Sequence, residues 1–160
     1  MFKIMIAVDG SRQSLQAVRA AVALAQNGLQ AQFLVAHVQD PPSLLELASE
    51  SADVVTEASM EAGMDLVAPA QEILEAAGAD YEVEICVGEP VTTLLEIAEN
   101  QHCQQIYIGA TGEGALHAIL IGSVSREVAR RSSLPVTIVK YIEPDEDAEA
   151  DMEEDEDAEE

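Results

Sequence analysis

The chain has 160 residues, 48% of them apolar and only 3% aromatic, so it is not a wholly disordered chain and Val, Ile, Leu and Ala must build its core. Its formal net charge is −24, from 31 acids against 7 bases, which argues against nucleic acid and against anionic membrane surfaces as partners. No apolar run approaches the ~18 residues of a membrane span and no leader-like stretch opens the chain, so a cytoplasmic protein without membrane insertion is expected.

"FKIMIAV" (2–8) is a short apolar run closed by Asp9-Gly10, and reads as a first strand. From Ser11 the period changes: Leu15, Val18, Val22 and Ala25 recur at helical spacing, and Gly28 stops the run. "AQFLVAHV" (31–38) reads as a second strand, ended by Asp40-Pro41-Pro42. A helical region follows over 43–77. Gly63 and Pro69 interrupt it, which leaves one kinked helix or two. "YEVEICV" (81–87) alternates, as a strand at a sheet edge would. Pro90 opens a helix running to about Gln101, with Val91, Leu94, Leu95 and Ala98 inward. "QIYIG" (105–109) is a fourth strand, "SREVARRSS" a helix, and "PVTIVKYI" (135–142) a fifth strand.

Residues 143–160 hold 13 acids and no base, without apolar periodicity, so a disordered acidic tail is expected beyond a body of residues 1–142. The body keeps 18 acids against 7 bases, a net charge of −11. Cys86 and Cys103 sit in or beside apolar runs and read as reduced core residues. They share no ligand spacing with each other or with His37, His102 and His117, so a metal site built from side chains alone is not expected.

Strands alternating with helices imply an α/β fold: a five-stranded parallel doubly wound sheet with helices on both faces. Such sheets take ligands beyond the carboxyl ends of the strands, where the strand order reverses. Order 2-1-3-4-5 puts that point between strands 1 and 3, and order 3-2-1-4-5 between 1 and 4. The second is favoured, because the glycine-bearing strand ends are "AVDGS" and "GATGEG", after strands 1 and 4. Gly109, Gly112 and Gly122 follow the spacing G-x2-G-x9-G, with Ser123 next. The first two glycines would let backbone pass close to a ligand. Gly122-Ser123 opens a helix whose first N–H groups and positive dipole end suit an anion, with the hydroxyls of Ser123 and Ser125 as further donors. No catalytic residue is assigned, since spacing places neither a Ser-His-Asp set nor paired carboxylates near the loop.

With "IMIAVDGSRQS", "VAHV", "VGEPVTTLLEIA" and "GATGEGALHAILIGSVSREVARRSSLPVTIV" in this order, residues 2–142 resemble the universal stress protein family, and G-x2-G-x9-G-S resembles its ATP-binding branch. The resemblance implies the adenine nucleotide alpha hydrolase-like sheet in the order 3-2-1-4-5. It implies a stress-response regulator or adaptor that binds ATP, ADP or AMP. Ala7, Val8, Asp9, Gly10 and Ser11 would stand near the nucleotide, Asp9 at the ribose or through Mg²⁺. The backbone around Val38 would read adenine. Gly109, Ala110, Thr111, Gly112, Gly122, Ser123, Val124 and Ser125 would form the phosphate and ribose loop. A homodimer through the last strand, Pro135 to Ile142, and a further protein partner are also implied. Two alternatives remain at this point: an interaction protein of the same fold without nucleotide, and a slow ATPase or autophosphorylating protein with Ser123 or Ser125 as acceptor. The chain departs from the family in having no Lys or Arg between 109 and 122 and an acid, Glu113, in the loop. Glu113 is expected to face solvent, since a carboxylate close to phosphate repels it.

Overall fold

The computed structural model describes residues 1–41, 52–111 and 121–141. In chain order they form β1 (Phe2–Ala7), α1 (Arg12–Gln26), β2 (Ala31–Gln39), α2 (Ala52–Ala76), β3 (Tyr81–Val87), α3 (Pro90–Asn100), β4 (Gln105–Gly109), α4 (Ser123–Arg131) and β5 (Val136–Val139). All five strands are parallel, in the order β3-β2-β1-β4-β5, as the strand ends predicted. The central strand β1 pairs Phe2–Ala7 with Ala31–Ala36 on one side and Ile4–Ala7 with Gln105–Ile108 on the other.

Period-two alternation sorts the strand residues onto two faces. Ile4, Ile6, Val8, Phe33 and Val35 pack with Ala17, Val18 and Ala21 of α1 and Val67, Ala70 and Leu74 of α2. Met5, Ala7, Leu34, Ala36, Ile106 and Ile108 pack on the opposite face with Val91, Leu94, Ile97 and Ala98 of α3 and Val128 of α4. Aliphatic cores on both faces explain why the central strands lack a polar side.

Local signals set the helix ends. Ser11 caps α1, its Oγ accepting from Ser14 N at 3.1 Å, and the chain leaves through Asn27 and Gly28 at φ +102°. Glu89 caps α3, accepting from Val91 N and Thr92 N, with Pro90 at the first helical position. Pro69 does not divide α2, which runs unbroken over Ala52–Ala76. An interior proline costs about 3 kcal/mol. Burying Val67 and Leu74 fully returns about 1.5–3 kcal/mol each, so packing on both sides of Pro69 holds the helix. The predicted start of that helix near residue 43, the acidic tail and Ile142 lie outside the described residues.

β3 is an edge strand, and its residues are half-buried or exposed, which matches its alternating sequence. β5 is the other edge. Cys103 is buried and Cys86 half-buried, and both are free thiols. Burial pushes both thiols above their ordinary pKa.

Candidate functional site

Between β1 and β4 the strand order reverses, and a cleft of about 360 Å³ opens there at the carboxyl ends of the strands. Ala7, Val8 and Asp9 line it from the end of β1, Ala36 and Val38 from β2, Ile108, Gly109 and Thr111 from β4 and its continuation. Gly122, Ser123, Val124 and Ser125 close it from the start of α4, and Ser14, Pro90 and Leu94 come from α1 and α3. The walls formed by Val38, Pro90, Leu94 and Ile108 are apolar. Asp9, Ser14, Thr111, Ser123 and the α4 terminus are polar.

Of the residues singled out from the sequence, Gly10, Ser11 and Ala110 do not line the cleft, and Gly112 lies outside the described residues, as do Glu113 and His117. Gly10 is at φ +82°, where side chains are strained, and a Cβ there would meet Leu66 Cδ2 at 2.6 Å. Ser11 is buried as the α1 cap, and its N–H donates to Asp9 Oδ1 at 3.0 Å. Asp9 therefore both shapes the turn into α1 and faces the cleft. Sequence reading missed Ser14, Ala36, Pro90, Leu94 and Ile108. Ala36 and Ile108 were signalled by period two, sharing a strand face with Val38 and with Ala110 beyond the strand. Pro90 and Leu94 stand one helical turn apart, but only the packing of α3 across the sheet brings them to the cleft.

The structure gives two residues of the glycine loop roles within the fold itself. Gly109 does not have a positive φ, and a Cβ there would stand 2.8 Å from the backbone carbon of Gln13. Its missing side chain makes room for α1 where Gly109 forms part of the cleft wall. Ser125 does not offer a spare donor either. It is buried, and its hydroxyl donates to Ala110 O at 2.8 Å, with Gly122 O at 3.1 Å. Gly122 N–H donates to the same Ala110 carbonyl at 2.6 Å. These bonds tie the start of α4 to the end of β4.

The α4 terminus is nevertheless suited to an anion. Gly122, at φ −64° and ψ 164°, gives it no side-chain cap, and Ser123 is exposed at the first helical position. The first turn has no acid, and Arg130 and Arg131 occupy the last turn, which complements the dipole. α1 and α3, by contrast, have their first N–H groups taken by Ser11 and Glu89.

His37 supports the end of β1 from the opposite face. A carbonyl only accepts, so His37 Nδ1 carries the proton and donates to Val8 O at 2.7 Å. Its Nε2 is buried and has no hydrogen-bond partner among the described residues. Among the described residues no cluster of three or more His, Cys, Asp or Glu side chains could hold a metal ion, and no helix is long and apolar enough to cross a membrane. Asp9 is the single carboxylate among the described residues lining the cleft.

Residues 1–140 match the universal stress protein family. A universal stress protein of Methanocaldococcus jannaschii is 30% identical over 139 residues, covering 86% of this chain and 81% of its own. The solved structure of hypothetical protein MJ0577 superposes with a TM-score of 0.74 at 26% identity, covering 89% of this chain and 98% of that one. A universal stress protein solved in complex with cAMP superposes with a TM-score of 0.60 at 29% identity, covering 86% and 95%. With the family's matched span, its sheet order and a relative at this identity all in agreement, the chain belongs to the universal stress protein family.

Proposed function

We propose that the chain binds an adenine nucleotide in the cleft between β1 and β4 and acts as a dimeric, nucleotide-dependent regulator of a stress response. The observation that carries this is the uncapped N-terminus of α4, opening onto a cleft whose other end is apolar. A flat base needs apolar walls, here Val38, Pro90, Leu94 and Ile108. A phosphate needs unpaired N–H groups and a positive dipole end, here at Ser123 and Val124. Asp9 suits a ribose hydroxyl or a bridging Mg²⁺, which binds through one or two carboxylates together with phosphate oxygens. The cAMP complex of a relative supports an adenine ligand in this fold. ATP is the ligand implied by the resemblance of G-x2-G-x9-G-S to the family's ATP-binding branch, with ADP and AMP as shorter forms.

The dimer would form through β5. Val136–Val139 lies at a sheet edge, is uncharged and is only half-buried in the single chain, so its outer backbone groups invite a second copy.

The test is a thermal scan with ATP, ADP, AMP or cAMP, with and without Mg²⁺. Ligand at 100 times its dissociation constant adds about 2.7 kcal/mol to stability. Ser123→Asp should abolish that gain without harming the fold. Its carboxylate would repel phosphate, yet it suits the first turn of a helix by about 0.3–1 kcal/mol. No stabilisation by any of the four ligands in the wild type overturns the reading.

A further inference from the structure

The charge of the molecule is unevenly divided. Residues 121–141 hold four bases, Arg126, Arg130, Arg131 and Lys140, against one acid, Glu127, in a chain with a net charge of −24. The other three bases are spread over residues 1–120. Residues 121–141 thus carry a net positive charge on an acidic body, with Glu89 and Glu99 of α3 close to Arg131. Arg130 is engaged by Glu127, Nη2 to Oε2 at 2.7 Å, and Arg131 Nη2 donates to Thr92 Oγ1 at 3.2 Å. Arg126 and Lys140 are exposed.

The acidic segment begins beside these residues. β5 is parallel to its neighbours, so it ends where the cleft opens. Val139 is in register with Gly109, and its carbonyl accepts from Ala110 N–H at 2.8 Å. The chain therefore leaves β5 about 4.8 Å, one strand spacing, from the cleft wall. Residues 143–160 then add 13 acids and no base. Eighteen residues of flexible chain have a root-mean-square reach of roughly 23 Å. α4, at nine residues, is only about 14 Å long.

We propose that residues 143–160 dock back as a polyanion on the net-positive α4–β5 segment, and that from there they compete with a nucleotide's phosphates for the positive end of α4. Charge complementarity, tether length and exit point all select this segment as the occupant. Docking stands on these alone, whereas the competition rests on the nucleotide reading above. Each solvent-screened carboxylate–guanidinium contact changes an equilibrium by a factor of about two, so two or three contacts give about fivefold. The effect fades with salt, since the Debye length falls from about 30 Å at 10 mM to about 3 Å at 1 M.

The experiment compares the full chain with a full-length variant whose 13 tail acids are replaced by Asn or Gln. Backbone amide shifts of residues 123–131 report docking at about 10 mM and about 1 M salt. Calorimetric titrations with ATP, AMP and adenosine at low salt report competition. Docking predicts α4 shifts that differ between the two proteins at low salt and converge at high salt. Identical α4 shifts at low salt overturn it, and a difference between the two proteins that grows with protein concentration overturns self-docking in favour of a second copy. Competition predicts that the variant binds ATP about fivefold tighter and AMP less so, with adenosine unchanged. Equal ATP affinity overturns competition, and an equal gain for adenosine overturns its electrostatic basis in favour of steric cover. If neither protein binds any ligand, the nucleotide reading and the competition both fall, while the α4 shifts still decide docking.

Discussion

Alanine at position 109 should destabilise the protein before any ligand is considered. A Cβ on Gly109 would lie 2.8 Å from the Gln13 backbone carbon, 2.9 Å from its oxygen and 2.9 Å from Ser14 N. These are backbone atoms of α1, so no side chain can swing aside. To restore a contact of 3.4 Å the helix must retreat by roughly 0.6 Å, which loosens Ala17, Val18 and Ala21, all fully buried against the sheet. Overpacking of this kind costs about 1–3 kcal/mol. Gly122→Ala is the control. Its φ of −64° and ψ of 164° are open to alanine, and its nearest contacts are 3.4 Å, to Ala110 O and Thr111 Cα. It should stay within about 0.5 kcal/mol of the wild type. Urea unfolding followed by far-ultraviolet circular dichroism, without nucleotide and at equal m-values, measures both. Gly109→Ala within about 0.5 kcal/mol of wild type, or Gly122→Ala as damaging as Gly109→Ala, would refute the assignment of Gly109 to helix packing.

His37→Leu removes the donor to Val8 O but also removes the Nε2 left unpaired among the described residues, so the net loss should be about 1 kcal/mol in the same urea assay. Amide exchange at Asp9 should speed up with it, and unchanged exchange there would show that His37 does not hold the end of β1. Glu89 offers a pH test. The Thr92 side chain and backbone hold its carboxylate below the usual pKa, so its capping contribution is complete at neutral pH and lost as pH falls through that depressed value. The difference in urea midpoint between wild type and Glu89→Gln should be present at pH 6 and shrink only as pH falls below the ordinary Glu value of ~4.3. A difference still constant well below that value contradicts it.

The sheet was legible because each strand is a short aliphatic run bounded by Gly, Pro or Asp, and each change of period marks a helix. β4 matches its predicted bounds to the residue, whereas α4 begins two residues before the "SREVARRSS" run, at the Ser123 that the glycine-serine pair marked. The strand order followed from which strand ends carry glycine, since only a reversal between β1 and β4 brings "AVDGS" and "GATGEG" together. Pro69 left one helix or two open because propensity is local, whereas the burial of Val67, Ala70 and Leu74 that decides it is not. The spacing of the glycines was legible, but the reason for Gly109 was not. Only the close approach of Gln13 shows that its missing side chain serves α1. Leu94 and Pro90 were hidden for a related reason, because a helix crossing angle is not written in period. His37 read as one apolar-strand histidine among three, and its bond to Val8 needed the register of β1 on β2.

Ser125 tests whether the anion-binding end of α4 is set by the fold or by the stretch between β4 and α4. Ala110 O accepts from Gly122 N at 2.6 Å and from Ser125 Oγ at 2.8 Å, so two bonds clamp the first turn of the helix to the end of β4. The clamp ties Ser123 and Val124 to the end of β4, at the cleft. Ser125→Ala removes one of the two bonds. The Ala110 carbonyl stays satisfied by Gly122, so stability should fall by only about 0.5–1.5 kcal/mol. Nucleotide affinity should fall more than tenfold, because N–H groups aimed at a phosphate lose their value when their helix can shift by about 1 Å. Ser125→Thr, which restores the hydroxyl, should recover most of it. Urea unfolding and calorimetry on the same preparations separate the two effects. Unchanged nucleotide affinity in Ser125→Ala would mean that one bond to Ala110 is enough, and that the position of α4 comes from Val128 and the packing beneath it.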